Sequence, residues 1–180
     1  MPAIRGIVFY KRQFGLNSIH LILSKLVRSL WIATTTTARI AVAALIKKFC
    51  DAHLAGEDVS CWGTGAPIRE FLFVEDCADG ISVAGEKYND TTPLNIGTGV
   101  GISIKELAET IAQCLGFKGK IHWDSTKPDG QKVKQLDISN MERALAWKPR
   151  TALVNGIQAS IKWYLDSLRT TASRRPQIAA

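Results

Sequence analysis

Residues 61–79, Cys-Trp-Gly-Thr-Gly-Ala-Pro-Ile-Arg-Glu-Phe-Leu-Phe-Val-Glu-Asp-Cys-Ala-Asp, set a glycine turn, a lone arginine, an apolar run and a helix start in close succession. Phe71-Leu72-Phe73-Val74 has strand length and no alternation, the pattern of a strand covered on both faces in an α/β layer. Asp76 is placed to cap the helix behind it, whose apolar side is Ala78, Ile81, Val83 and Ala84. Gly63, Gly65 and Pro67 punctuate a tight loop directly after Trp62, so the indole sits on a turn whose backbone can approach a ligand closely. Arg69 stands at the mouth of the strand. A guanidinium beside an aromatic face suits a ligand with a flat ring and phosphates, since arginine grips phosphate oxygens in pairs and indole offers a stacking surface. The plainer alternative is a hairpin with a core tryptophan and a surface arginine.

Elsewhere the periodicity alternates between helix and strand. Leu21, Leu23, Leu26, Val27, Leu30 and Trp31 allow a basic amphipathic helix that the Thr34–Thr37 tract would end. Val42, Leu45, Ile46 and Phe49 recur at helical spacing and Gly56 closes that segment. Val59–Trp62 reads as a short strand, and Pro93–Ile96 as another that ends in the Gly97-Thr98-Gly99 turn. Ser103-Ile104-Lys105-Glu106 is a capping box, with Ile104, Leu107, Ala108, Ile111 and Leu115 along one helical face and Gly116 as its stop. Ile121–Trp123 is a strand, Ser139 with Glu142 a second capping box, and Leu153, Ile157, Ile161, Tyr164 and Leu168 the stripe of a last helix. Strand and helix in alternation make the fold class α/β. The glycines at 97, 99 and 101 do not form the fingerprint of a dinucleotide loop, because the helix behind them opens with its own serine cap.

Charge is unevenly distributed. Residues 1–50 hold eight Lys or Arg and no acid, whereas the remaining 130 are nearly balanced, so the net charge of +7 belongs to the front. Such a front fits a nucleic-acid or membrane arm, a transit peptide, or sequence never selected as part of the fold. Cys50, Cys61, Cys77 and Cys114 have neither CxxC spacing nor a histidine at ligand spacing, which points to reduced thiols in a cytoplasmic protein and away from zinc or a disulfide framework. The run Ile19–Ala33 is too short and too charged to span a bilayer. His53 and His122 have no partner at suggestive spacing, and Trp123, Trp147 and Trp163 read as packing residues.

Trp62-Gly63-Thr64-Gly65-Ala66-Pro67-Ile68-Arg69-Glu70-Phe71-Leu72-Phe73-Val74-Glu75-Asp76 resembles the WGTGxPxREFLxVDD signature of GDP-L-fucose synthase, an extended short-chain dehydrogenase/reductase. Asn95–Gly99, Ser103–Ala108, Gly116–Gly119, Trp123–Gly130, Leu136-Asp137 and Trp147–Pro149 extend the resemblance over about Val42 to Leu165. It implies a carboxy-terminal substrate domain and a residual part of a Rossmann-type fold, in a family whose enzymes epimerise and then reduce GDP-4-keto-6-deoxy-D-mannose with NADPH and form homodimers. By position it places Trp62, Arg69, Asp129 and Lys134 on the GDP-sugar. Arg69 and Lys134 would neutralise the diphosphate, Trp62 would shield the ring, and Asp129 would accept from ribose hydroxyls or a guanine N–H. Lys48 falls where the family has a second phosphate-facing arginine, and keeps the charge without the fork.

The front departs from this family. Tyr10–Ile19 resembles the segment after the catalytic helix, which would put the Tyr-x-x-x-Lys pair and the cofactor's glycine turn ahead of Met1. Where the family has Asn-Leu-Tyr-Gly-Pro, this chain has Lys25-Leu26-Val27-Arg28-Ser29, and codons for these five regrouped by one base can spell the family motif. A frame-shifted remnant is therefore expected in the front. The division expected is an atypical basic segment at 1–41, a GDP-sugar-binding domain at 42–168 and a disordered tail at 169–180, with NADP bound by an upstream Rossmann half. No nucleic-acid or membrane partner is expected. The competing reading is a non-catalytic GDP-sugar-binding or interaction module with a basic arm.

Overall fold

The computed structural model describes residue 9 and residues 11–15, 18–27 and 41–173. Its elements in order are β1 (Leu21–Leu23), β2 (Lys25–Val27), α1 (Ala41–Ala55), β3 (Val59–Trp62), β4 (Ile68–Phe73), α2 (Val74–Lys87), β5 (Leu94–Ile96), β6 (Gly101–Ser103), α3 (Ile104–Leu115), β7 (Ile121–Asp124), β8 (Val133–Lys134), α4 (Ser139–Leu145) and α5 (Leu153–Ser173). β1 and β5 pair in parallel, as do β3 and β7. The remaining strands form a sheet of order β2-β4-β6, with β8 also on β4. Helices and parallel pairs together make the α/β class expected from the alternation. Two compact units emerge: Met1–Leu26 with Arg69–Gly101 and Val133–Thr151, and Val27–Ile68 with Ile102–Lys132 and Ala152–Ala180.

The first unit is built on the apolar run of β4. Leu72, Leu94, Ile96, Met141 and Leu145 are fully buried in one cluster with Cys77, Ala84, Tyr88 and Trp147. Burying each of these large side chains contributes on the order of 1.5–3 kcal/mol. Trp147 closes the cluster and directs its indole N–H to the Asp79 carboxylate at 2.6 Å, so the one polar edge of a buried ring is satisfied. In the second unit α1, α3 and α5 pack on one another. Val42, Ile46, Phe49 and Cys50 form the buried face of α1, and Phe49 meets Phe117 edge-on at 5.3 Å. Tyr164 on α5 donates to Asp51 at 2.8 Å, and Lys47 bonds the other oxygen of the same carboxylate, fastening α1 to α5.

The start of α3 is the one read from its capping box. Ser103 Oγ accepts the Glu106 N–H at 3.0 Å, the Glu106 carboxylate accepts the Ser103 N–H at 2.7 Å, and Gly116 ends the helix in the left-handed region at φ 62°.

Elsewhere the structure corrects the sequence reading. Residues 21–27 are two short strands rather than an amphipathic helix, with Leu30 and Trp31 outside the described residues. Pairing with β5 satisfies the β1 backbone, a long-range gain that a local period cannot register. Asp76 does not cap α2, which starts two residues earlier behind Phe73; it lies buried in the first turn and accepts the Thr151 N–H at 2.9 Å. Ser139 and Glu142 form no capping box either, since the Asp137 carboxylate takes the Ser139 N–H at 2.9 Å. α5 runs on to Ser173, beyond the last residue of its apolar stripe. Among the described residues no helix is long and apolar enough to cross a membrane.

Candidate functional site

In the second unit, β3 ends on Trp62 and the chain turns at once. The Gly63 N–H bonds the Asp124 carbonyl at 2.9 Å, and the carbonyls of Gly65 and Pro67 accept from Lys105 and Ile104 at the start of α3. The turn is therefore tied to β7 and α3. Asp129 closes it from a third side, accepting the Thr64 N–H at 2.7 Å and the Thr64 hydroxyl at 2.6 Å. Those two bonds, the hydroxyl's first, hold the Asp129 carboxyl below its usual range. Gly63 has φ 80°, and a Cβ there would lie 2.2 Å from Asp129 Oδ1, so only glycine lets the latch close.

The latched turn leaves Trp62 73% exposed, with Lys127 Nζ 6.0 Å from its ring centroid. The alternative of a core tryptophan is thereby overturned. Lys48 donates to the Ser60 carbonyl at 2.5 Å, two residues before Trp62, and so braces the strand that presents the indole. Lys127 was not singled out from the sequence; its place in the loop before Asp129 was the available signal.

The first unit brings together a different set. Arg69 lies half-buried on β4 and Lys134 exposed on β8, its neighbour in the sheet. Lys25, on β2, is half-buried, and its ammonium is held below its ordinary range by burial first, then by Arg69 and Lys134. Next to Arg69, the buried Glu70 turns inward. Its Oε1 accepts from Thr98 at 2.6 Å and Gly99 at 3.2 Å, and its Oε2 from Leu136 at 2.7 Å. Two amides of the 97–101 glycine turn, those of Thr98 and Gly99, are thus taken up by an internal carboxylate. With the start of α3 closed by Ser103 and Glu106, this turn does not fit the pyrophosphate of a dinucleotide.

Among the predicted residues, Trp62 and Asp129 therefore belong to one group, with Lys48 of α1 bonded to the strand that carries Trp62, and Arg69 and Lys134 to the other. His122, which offered no partner in sequence, pairs through Nε2 with Asp58 Oδ2 at 2.8 Å, both exposed. The two stand 64 positions apart, beyond any spacing rule. The four cysteines are free thiols, and burial pushes Cys50 up to about 12.

Comparison with known proteins places these groups in a family. The model of the NAD dependent epimerase/dehydratase family matches residues 3–97, so the match begins inside the basic front. Probable GDP-L-fucose synthase 1 of Oryza sativa subsp. japonica is 40% identical over 126 residues, 69% of this chain and 38% of its own length. GDP-L-fucose synthase of Sinorhizobium fredii is 34% identical over 162 residues, 88% of this chain and 50% of its own length. Among solved structures, MlghC, a GDP-mannoheptose C4 reductase from Campylobacter jejuni with NADP bound, superposes with a TM-score of 0.73 at 29% identity, covering 90% of this chain and 55% of that one. The chain thus spans about half the length, or less, of these relatives. With its family model matched over more than half of its residues and the α/β layers in place, the chain belongs to the NAD dependent epimerase/dehydratase family.

Proposed function

We propose that this chain is the nucleotide-sugar-binding portion of a GDP-L-fucose synthase type of protein. The single observation that carries the reading is Trp62, an indole held exposed on a turn fastened by the Thr64–Asp129 latch. A large aromatic surface left in water on a rigid mount forgoes the stabilisation of burial and offers it to a ligand that covers the ring. In the second unit Trp62 is assigned to a flat ring, and in the first Arg69 and Lys134 are assigned to phosphates. Asp129 spends two acceptor sites on Thr64 and keeps others for a hydroxyl or N–H of the ligand. Lys48 acts through β3 by way of its bond to Ser60.

Epimerisation and reduction require a positioned general acid and a hydride donor. We assign neither role to a described residue, and place the NADP site in the part of the relatives' length that this chain does not match. The division at residue 41, the frame-shifted front, a homodimer and a cytoplasmic location belong to the same proposal.

Thermal melting tests it. A ligand that binds only the folded state, present at a hundred times its Kd, stabilises by about 2.7 kcal/mol. For a chain of this length that is roughly 5–10 °C. GDP or GDP-fucose is expected to raise Tm, NADPH is not, and Arg69→Ala should lose the nucleotide effect. An equal shift with NADPH, or an undiminished shift in the Arg69 variant, refutes the assignment.

A further inference from the structure

Asp79–Gly80, Asn155–Gly156 and Asp129–Gly130 each set an acid or amide side chain directly before a glycine. In such a pair no side chain shields the glycine nitrogen from the carbonyl carbon at the end of the preceding side chain, and a five-membered ring can close between them. The first two pairs lie inside α2 and α5, where the helix commits that nitrogen to its own ladder. The Gly156 N–H goes to the Ala152 carbonyl at 3.1 Å, and the Asp79 carboxylate is occupied by the Trp147 indole at 2.6 Å. Asp129–Gly130 instead lies in the loop between β7 and β8, with both residues exposed. A Cβ built on Gly130 would meet nothing within 4 Å, and among the described residues no acceptor takes its N–H. The restraint on this pair comes from Thr64, whose N–H and hydroxyl each hold one oxygen of the Asp129 carboxylate.

We propose that Asp129–Gly130 is a site of spontaneous isoaspartate formation, and that the Thr64 latch sets its rate and with it the lifetime of the turn that carries Trp62. The Gly130 nitrogen attacks Cγ of Asp129. The N–Cγ bond forms, the amide proton and the carboxyl OH leave as water, and a succinimide results. A second water adds to the former main-chain carbonyl and breaks its bond to the Gly130 nitrogen, so the chain runs on through the β-carboxyl. Water is the only other reactant, and nothing is oxidised or reduced. While latched, the carboxylate is turned toward Thr64, and the bonds that keep it below its usual range, the hydroxyl's first, keep it in the ionised form from which an oxygen leaves poorly. Once isomerised, the backbone is longer by a methylene and the carboxylate branch is shorter by one, so the two bonds to Thr64 are not restored together. The turn then loses the side on which Asp129 closed it. This holds whatever ligand Trp62 takes, because every group involved belongs to the loop and the turn.

Ageing the protein tests it. The full chain and its Thr64→Val and Thr64→Ser variants are kept at physiological temperature and neutral pH, and isoaspartate at 129 is followed by mass spectrometry and by labelling with an isoaspartyl methyltransferase. The parent unfolded in guanidinium chloride supplies the unrestrained rate. The folded parent is expected to isomerise roughly a hundredfold more slowly than the unfolded chain, for two hydrogen bonds to a charged group, and Thr64→Val roughly tenfold faster than the folded parent, for the loss of one. Thr64→Ser keeps the hydroxyl and should age like the parent. Tm should fall as isoaspartate accumulates. A folded parent that isomerises as fast as the unfolded chain, or a folded Thr64→Val chain no faster than the parent, overturns protection by the latch. Should Thr64→Val fail to fold, the comparison of folded with unfolded parent decides by itself. Isoaspartate at 129 with an unchanged Tm overturns its effect on the turn.

Discussion

Glu70→Gln should destabilise the protein more than an isosteric exchange normally does. Glu70 is 2% exposed and serves three backbone donors from two separate segments: Thr98 and Gly99 on Oε1, Leu136 on Oε2. Glutamine keeps one carbonyl oxygen for the first pair. In place of Oε2 it presents an NH₂ to the Leu136 N–H, so a donor faces a donor and a buried amide loses its acceptor. A hydrogen bond to a charged group is worth about 1.5–3 kcal/mol, and a stranded buried donor costs about 1–3 kcal/mol. One bond lost outright and two weakened come to about 3 kcal/mol, which for a chain of this length is roughly 6–12 °C in Tm. Far-UV circular dichroism measures the melt, and amide exchange followed by NMR shows where the loss falls, with Leu136 losing more protection than Thr98. A Tm unchanged from the parent's, or a Leu136 amide as protected as before, would show that the carboxylate is not what holds these segments.

Gly63→Ala places a Cβ against Asp129 Oδ1 at a residue with φ 80°, and should cost about 1–3 kcal/mol by strain and by opening the Thr64 latch. The urea midpoint checks it; a midpoint equal to the parent's would show that the turn has room to spare. Acid should weaken the fold for a related reason. The carboxyls of Asp58, Glu106, Asp129 and Asp137 are each held low, chiefly by hydrogen bonds from backbone and side-chain donors. A depressed folded value means that their stabilisation is present above the ordinary carboxylate range, about pH 4, and is lost as the pH falls through the lowered values. Tm should therefore be level from pH 7 to 5 and fall below about pH 4; a flat profile down to pH 3 would contradict these bonds.

The elements read correctly from sequence are those whose signal is local. The Ser103–Glu106 box, the Gly116 stop and the stripe of Leu107, Ala108 and Ile111 all lie within one helix, and each is present. The misreadings share an opposite cause. Asp76, Ser139 and the 21–27 run carry polar or apolar patterns that fit a local motif, yet the partners that decide them are Thr151, Asp137 and β5. β6 and β8, three and two residues long, are too short to show any period and exist because neighbouring backbone needs partners. Gly80 teaches the same lesson from the other side. A glycine inside a helix ordinarily weakens it, but a Cβ at this one would sit 2.8 Å from the Trp147 ring, so the helix requires that glycine for packing.

The candidate site divides along the same line. Trp62 and Arg69 stood out because a turn and a strand start lie beside them, while Asp129 and Lys134 came only from the resemblance, since a loop charge looks like any other solvated charge. What neither route supplied is the economy of the carboxylates. Glu70, next to Arg69 in the strand, is committed to the backbone of the glycine turn and of Leu136; Asp129, expected to accept from ribose hydroxyls or a guanine N–H, also secures Thr64.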